Sequence, residues 1–214
     1  GAWPGLGVGD VVAVTGDLDA DRRSGVAARV ELWHAVQGPI TAIDRSSDPL
    51  ASIVNDEMVI QVLGQWVVLD NLTVYDAEII PGSSAGLAVG DFVSVSGYPG
   101  KVSWLKYFPE LGFSVSGSYD AWQARRIAKQ TPSGALIVAG VAAGVDPVAR
   151  LFTVGELLVD YSSAAGVDRV ADQARLWVRG SRLGPDGALI AGEIVAPASP
   201  IDGLPLNAWV DVEG

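Results

Sequence analysis

The chain has 214 residues, of which 49% are hydrophobic and 18% charged, and its formal net charge is −11. This composition supports a packed core and excludes an intrinsically disordered chain. The acidic balance disfavours nucleic acid and anionic membrane surfaces as partners. Because the chain has no cysteine, it contains neither a disulfide nor a thiolate metal site. No apolar run reaches the length of a membrane helix, so no membrane insertion is expected.

The pattern along the chain predicts an all-β protein. Glycine (26) and proline (12) are frequent, and long stretches of helical periodicity are absent, which favours short strands joined by turns. The sequence starts at Gly1, which is compatible with either a processed mature end or a truncation boundary.

One sequence element occurs three times and indicates an internal repeat. "LGVGDVVAVTG" ends at Gly16 and returns as "LAVGDFVSVSG", which ends at Gly97. A weaker third copy, "ADQARLWVRG", ends at Gly180. Each copy is typical of a strand entered through a turn, and each is followed by a second predicted strand. The repeat is therefore at least a hairpin.

Opening strands complete the repeated unit. "VQGPITAID" (36–44) matches "VAGVAAGVD" (138–146), and "VDVEG" (210–214) ends the chain as a third opening. The unit then has five strands, which is typical of a small closed barrel of the OB type. Tandem β-sandwich repeats are the alternative. The strands are predicted at 36–44, 57–63, 66–76, 91–97 and 119–128, and again at 136–145, 149–154, 156–161, 174–180 and 187–195.

The predicted organisation is out of phase with the repeat. Residues 1–34 supply only the last two strands of a unit, whereas 35–130 and 131–197 are complete units, the first with long loops. Residues 198–214 form a Pro-rich linker and a C-terminal strand. The two chain ends together hold too few residues to rebuild a full barrel. The sequence therefore predicts two whole units and an unfinished third.

These motifs resemble a known family. "GPITAID" and "VAAGVD" at the ends of opening strands, the central "L-x-V-G-D-x-V-x-V-x-G" and the closing "A-x-x-I" are similar to the bacterial domain of unknown function 5666. The resemblance covers most of residues 36–197 and part of 5–34. It implies OB-like repeats and export to the cell surface or the extracellular space, and it implies no activity. The third copy departs from the pattern because it lacks the Gly-Asp turn.

Candidate catalytic and metal-binding groups are sparse. His34 is the single histidine and is predicted to be a packed or solvated linker residue. The aspartates of "DLDADRRSG" (17–25) resemble a calcium loop, but its glycine and glutamate positions hold Arg22 and Ala28, which favours a solvated turn. Asp70 and Asp76 are interpreted as surface charges at strand ends. The sequence therefore predicts no enzyme activity, no metal and no cofactor.

Aromatic residues mark one candidate contact surface. Tyr98, Trp104, Tyr107 and Phe108 lie between the fourth and fifth strands of the middle unit, and the connection 45–55 is also long. These two connections are the ones that OB-folds use to bind oligonucleotides and oligosaccharides. The alternative is that the last three aromatic residues, at one-turn helical spacing, plug the end of a barrel.

The unfinished unit predicts self-association. A soluble protein does not leave strand edges and an apolar face uncovered. The predicted donor is the alternating strand Ala208, Trp209, Val210, Asp211 and Val212, and the predicted acceptor comprises Val11, Val12, Val14, Val26 and Val30 of a neighbouring copy. Such head-to-tail pairing produces rings or filaments. The sequence thus predicts a bacterial surface filament protomer. The alternative function is an exported module that binds an oligosaccharide or a peptide.

Two other arrangements of the C-terminal strand remain open at the level of sequence. The linker is long enough for the strand to fold back onto its own chain. The chain could equally be part of a longer array of repeats.

Overall fold

The computed structural model describes residues 6–20, 24–44, 58–108, 113–132 and 135–196. The connection 45–55 and the predicted strand at 207–213 lie outside these residues. The described part contains β-strands, turns and two short 3-10 segments, Ser84–Gly86 and Val167–Arg169, so the all-β prediction is confirmed. Within these ranges, no helix has the length and apolar character needed to cross a membrane.

The N-terminal hairpin consists of two strands, β1 (Val12–Leu18) and β2 (Gly25–Leu32). They pair antiparallel and form a two-stranded sheet of their own among the described residues. The turn between them is closed by Asp19, whose N–H donates to the carbonyl of Ser24 (2.9 Å) and whose carboxylate accepts from the Ser24 hydroxyl (2.6 Å). Asp19 and Ser24 therefore close the end of the β1–β2 hairpin.

The middle ring follows. Its strands are β3 (Val36–Asp44), β4 (Met58–Val62), β5 (Gln65–Leu69), β7 (Phe92–Phe108) and β8 (Phe113–Lys129), and a short β6 (Val74–Tyr75) pairs outside the ring with β8. Neighbours pair in the order β3–β4–β5–β8–β7, and β7 pairs again with β3. The β5–β8 pair is parallel and the others are antiparallel. The five strands therefore close on themselves.

The last ring repeats this order. Its strands are β9 (Leu136–Asp146), β10 (Leu151–Val154), β11 (Leu157–Asp160), β12 (Arg175–Leu183) and β13 (Leu189–Val195). They pair as β9–β10–β11–β13–β12, and β12 returns to β9. The β11–β13 pair is again parallel. The two complete units of the sequence thus have the same strand connectivity.

Alternating residues of these strands fill the interior of each ring, as the period of a pleated strand requires. Among the most deeply buried side chains are Ile60, Val67, Val93, Val95 and Ile127 in the middle ring and Phe152, Val159, Leu176, Val178 and Leu189 in the last ring. In the last ring Phe152 also packs against Tyr161, with ring centroids 5.5 Å apart.

The two rings are joined by equivalent parts of each. The opening strands pair antiparallel, with Val36 opposite Val138, the corresponding residue. The turns of the two β-hairpins also meet, since the N–H of Glu156 donates to the carbonyl of Gly64 (3.1 Å). The buried Gln65 amide donates to the carbonyl of Val154 (2.5 Å). A local pseudo-two-fold axis therefore relates the two rings.

Two strand predictions for the middle unit were wrong. The predicted strand at 66–76 is interrupted after Leu69, because the Asp70 carboxylate accepts from the N–H of Leu72 (2.9 Å) and turns the chain. The predicted end of the fourth strand at residue 97 is also wrong. The ladder between β7 and β8 continues from Gly97 to the pair Phe108–Phe113. Residues 101–108 and 113–120 therefore extend the sheet as a long arm.

Candidate functional site

The repeated glycines occupy the same bulge in three hairpins. Gly16 pairs with Ala27, Gly97 with Ala124 and Gly180 with Ala191, and each ladder shifts its register immediately before the glycine. A Cβ at any of the three glycines would lie less than 3.0 Å from a backbone oxygen of the partner strand. Only glycine fits this close approach. The N-terminal hairpin is therefore the structural counterpart of β7–β8 and β12–β13.

The Gly-Asp turn that precedes β1 and β7 has a defined structure. The Asp10 carboxylate accepts from the N–H of Gly7 (2.7 Å), and Asp91 accepts in the same way from Ala88 (2.8 Å). Burial opposes ionisation of Asp91, but hydrogen bonds from Lys129 and Ala88 outweigh it and hold its pKa below the ordinary value. The turn thus places an aspartate carboxylate at the start of β1 and of β7.

The third copy keeps the turn although it lacks the motif. The N–H of Ala174 donates to the carbonyl of Ala171 (3.1 Å), as Asp10 does to Gly7 and Asp91 to Ala88. Gln173 replaces the turn glycine and has a φ of 65°. A non-glycine residue in this conformation is uncommon. The turn geometry is therefore preserved at the cost of local backbone strain.

One face of the N-terminal hairpin has equivalents that are buried in both rings. Val12 is 37% exposed and Val14 is 44% exposed, and Val30 is half-buried. The bulge register makes these three residues equivalent to side chains that are at most 1% exposed: Val93, Val95 and Ile127 in the middle ring, and Leu176, Val178 and Ile194 in the last ring. Among the described residues, the hairpin therefore exposes the face whose equivalents lie in the interior of both rings.

In each ring the opening strand pairs along the edge of the strand that carries the equivalent face. Val36 pairs with Val95, and Val138 pairs with Val178, each on the edge away from the closing strand. The corresponding edge belongs to β1 at Val14. In the part of the chain that the structure describes, β1 pairs with β2 alone. The predicted acceptor site corresponds to this edge together with the apolar face beside it.

The five predicted acceptor residues do not share one face. Val12, Val14 and Val30 belong to the face just described. Val26 is 74% exposed, and its equivalents, Gln123 and Ile190, are half-buried. Val11 precedes β1, and its equivalent in the last ring, Arg175, is exposed. Alternation along β1 separates Val11 from Val12 and Val14, but alternation along β2 leaves Val26 on the same side as Val30. Only the register shift beside Gly16 places Val26 on the other face.

Charged and polar groups fix the base of the hairpin against the middle ring. The Arg126 guanidinium lies 3.5 Å from a carboxylate oxygen of Asp10 and 3.5 Å from one of Asp76. His34 Nδ1 hydrogen-bonds with the Ser94 hydroxyl at 3.0 Å. Burial lowers the pKa of His34, and the Asp10 carboxylate opposes this only in part. This cluster holds the entry to β1 beside β8.

Neither aspartate at the strand ends is a free surface charge. The Asp76 carboxylate contacts Arg126, and the Asp70 carboxylate lies 3.4 Å from the Arg125 guanidinium with only 15% of its side chain exposed. The interpretation of Asp70 as a solvated charge is therefore wrong, because it supports a turn and an ion pair. Across the described residues, no three His, Asp or Glu side chains are arranged to hold a metal ion.

The aromatic candidates lie on the arm. Tyr98 is 53% exposed near its base. Trp104, Tyr107 and Phe108 are all in β7, with Trp104 opposite Gly117 in the ladder. The prediction that these three residues lie on a helical turn is therefore wrong. The continuing hydrogen-bonded ladder with β8 selects the extended conformation.

One cluster that sequence reasoning missed lies at the base of the arm. Trp66 and Tyr119 pack with their ring centroids 5.6 Å apart, against the buried side chains of Val68 and Ala121. These residues alternate with the interior positions of their strands, so they occupy the outer face of the ring. The available signal was the run of apolar residues in "QWVVL" (65–69), which places apolar side chains on both faces of a strand.

The comparisons with known proteins are few. Residues 37–103 match a family described as Domain of unknown function (DUF5666), which confirms the resemblance over that range. The match begins in β3 and ends in the arm. Neither the curated proteins nor the solved structures gave a match.

Proposed function

We propose that the protein is a non-enzymatic structural protomer that assembles head-to-tail by β-strand complementation. In this proposal each ring is an OB-like barrel, and the N-terminal hairpin is the last part of a third barrel. The C-terminal strand at 207–213 of a second copy pairs with this hairpin. The observation that carries the proposal is the exposure of Val12 and Val14, whose equivalents are buried in both rings.

The physical support comes from the cost of the open face. An apolar face and an open strand edge in water favour association with a further strand. Covering Val12 and Val14 contributes roughly 1.5–3 kcal/mol for each side chain, and about five strand hydrogen bonds contribute roughly 0.5–1.5 kcal/mol each. Association costs about 4–15 kcal/mol. We therefore expect weak assembly that depends on concentration unless further surfaces contribute.

The cellular setting is also a proposal. The acidic charge of the chain suits a soluble assembly. The family resemblance supports a bacterial origin and export. We accordingly propose a filament or fibre at the cell surface or in the extracellular space, with copies of the same chain as the partners.

The central test is Val14→Asp. A carboxylate on the apolar face opposes burial of that face, so this variant should remain monomeric while the parent chain gains mass with concentration. The measurement is light scattering coupled to size exclusion over a hundredfold range of concentration. Because Val14 is 44% exposed, both rings should stay folded, as circular dichroism and thermal unfolding would verify.

Val26→Asp is the matched control. It adds the same charge to the same hairpin, at a residue that is 74% exposed and lies outside the Val12–Val14–Val30 face. It should assemble within about twofold of the parent chain. Equal assembly of Val14→Asp and Val26→Asp would remove the hairpin face from the mechanism. Deletion of 207–214 should abolish assembly like Val14→Asp.

The exposed Tyr98 supports the second candidate function, a binding module for an oligosaccharide or a peptide. Aromatic side chains stack on sugar rings and anchor peptides. Under this alternative, Tyr98→Ala should weaken the affinity for the oligosaccharide or peptide at least fivefold in a binding titration. Val14→Asp should leave that affinity unchanged. A parent chain that stays monomeric yet binds a ligand through Tyr98 would favour the module over the filament.

A further inference from the structure

We infer that the complementing strand pairs antiparallel with the free edge of β1 in one register, with Val212 of a second copy directly opposite Val14. This inference deepens the proposed function and rests on it. It names the edge, the direction and the residue pairs of the contact between copies. The edge follows from the rings. In each ring the opening strand (β3 or β9) pairs with the strand that carries the repeated glycine (β7 or β12), on the side away from the closing strand (β8 or β13).

The register follows from a short signature shared by the opening strands. Val36 and Gly38 open the middle ring, and the last ring has the same Val-x-Gly spacing at 138–140. In both rings the valine pairs with the second interior residue of β7 or β12, which is Val95 or Val178. The glycine pairs with the first interior residue, Val93 or Leu176. The same spacing occurs in the C-terminal strand at Val212 and Gly214.

The glycine of this signature has a packing reason. A Cβ on Gly38 would lie less than 3.0 Å from the Leu63 side chain, and one on Gly140 would similarly meet the Val154 side chain. Glycine therefore leaves room for the turn of the neighbouring hairpin inside each ring. Since the spacing reflects ring geometry, it marks the register of an opening strand. Transferred to β1, it places Val212 opposite Val14 and Gly214 opposite Val12.

The charges of the donor strand disfavour the neighbouring registers. Val210 and Val212 alternate with Asp211 and Glu213, so the two valines lie on one face of an extended strand. A slip of one residue would place a carboxylate opposite Val14 on the apolar face. Burial of an unpaired charge there is strongly unfavourable. The alternation therefore excludes slips of one residue, and the glycine spacing specifies the register among those that remain.

The absence of cysteine in the natural sequence makes disulfide mapping a direct test. Val14→Cys is placed in a chain with a mass tag, and Val212→Cys in an untagged chain. The two are mixed above the assembly concentration and oxidised, and mixed dimers are resolved on a non-reducing gel. Directly opposite Cβ atoms on paired strands lie close enough for a disulfide. We expect the yield of the mixed dimer to be at least fivefold higher for this pair than for Val14→Cys with Asp211→Cys, which is the register control.

A second pair, Val12→Cys with Gly214→Cys, tests the same register independently. Light scattering under reducing conditions shows whether each variant still assembles. Dominant cross-links at both in-register pairs support the inference. Normal assembly with dominant links through Asp211→Cys, or without links at either in-register pair, overturns the register but leaves the proposed function standing. Parent chains that never assemble overturn the proposed function itself.

Two further outcomes overturn the choice of partner. Dominant links between two Val14→Cys chains would mean that β1 pairs with β1 of the neighbour. A chain carrying both Val14→Cys and Val212→Cys is also oxidised at concentrations far below assembly. Efficient closure within that single chain, with a faster band on the gel, would identify the chain's own C-terminal strand as the occupant.

Discussion

At Gly180, β12 passes so close to β13 that an added Cβ would lie less than 3.0 Å from the carbonyl oxygen of Ile190. The other two repeated glycines have the same environment. The obstacle is backbone rather than a flexible side chain, so a methyl group can be accommodated only if the two strands separate. The glycine that ends each copy of the motif is thus required by the ladder itself.

This predicts that Gly180→Ala destabilises the protein. We expect a loss of about 1–3 kcal/mol in the free energy of unfolding, since overpacking of a well-packed site costs that much. Gly192→Ala is the matched control, because Gly192 lies in the same bulge on the opposite strand and its added Cβ would meet nothing nearer than 3.8 Å. The measurement is chemical denaturation. Equal losses for the two variants would contradict the close-approach explanation.

At the scale of elements, the contact between the turns of β4–β5 and β10–β11 joins the two rings. Gln65 is 6% exposed, and its amide donates to the carbonyl of Val154. Gly155 has a φ of 56°, and an added Cβ there would lie 2.8 Å from the Gln65 amide. Because that amide is buried and hydrogen-bonded, it cannot move aside without losing its partner.

Gly155→Ala should therefore cost more than backbone strain alone. Gly144→Ala is the control, since Gly144 has a φ of 61° and open space around its Cβ position. We expect Gly155→Ala to reduce the free energy of unfolding by about 1 kcal/mol more than the control. Chemical denaturation of both variants gives this difference. A difference near zero would mean that the turn contact contributes little to the joining of the rings.

At the scale of the whole molecule, the charge of −11 opposes the association of identical chains. Salt screens this repulsion, because the Debye length falls from roughly 30 Å at 0.01 M ionic strength to about 8 Å at 0.15 M. Burial of the valine face is not weakened by the same change. The proposed assembly should therefore be stronger in salt, in contrast to one held together by ion pairs.

We accordingly expect the apparent assembly constant to rise at least fivefold between 20 mM and 300 mM NaCl. Sedimentation velocity at fixed protein concentration provides the measurement. Val14→Asp should remain monomeric at both salt concentrations, which separates specific assembly from salting out. Assembly that weakens in salt would point to an electrostatic interface instead of the apolar hairpin face.

Particular residues show how far prediction from sequence reached. The opening strand at 36–44 and the strand after 136 were located within one residue, because apolar alternation bounded by turn residues is a local signal. The turn at Asp70 and the arm beyond Gly97 were missed. The Asp70 turn is local, since its carboxylate accepts from the N–H of Leu72 two residues later. The arm instead depends on pairing with a partner strand, which a local pattern does not display.

The candidate site shows the same division. The repeat identified β1–β2 as the counterpart of β7–β8 and β12–β13, because the motif spacing and its closing glycine are local features of the sequence. Alternation separates Val11 from Val12 and Val14, but only the tertiary structure separated Val26 from Val30, since the register shift beside Gly16 changes which residues of β2 share a face. Likewise, only the folded rings reveal that equivalent residues are buried, because burial is defined by strands distant in sequence that close around them.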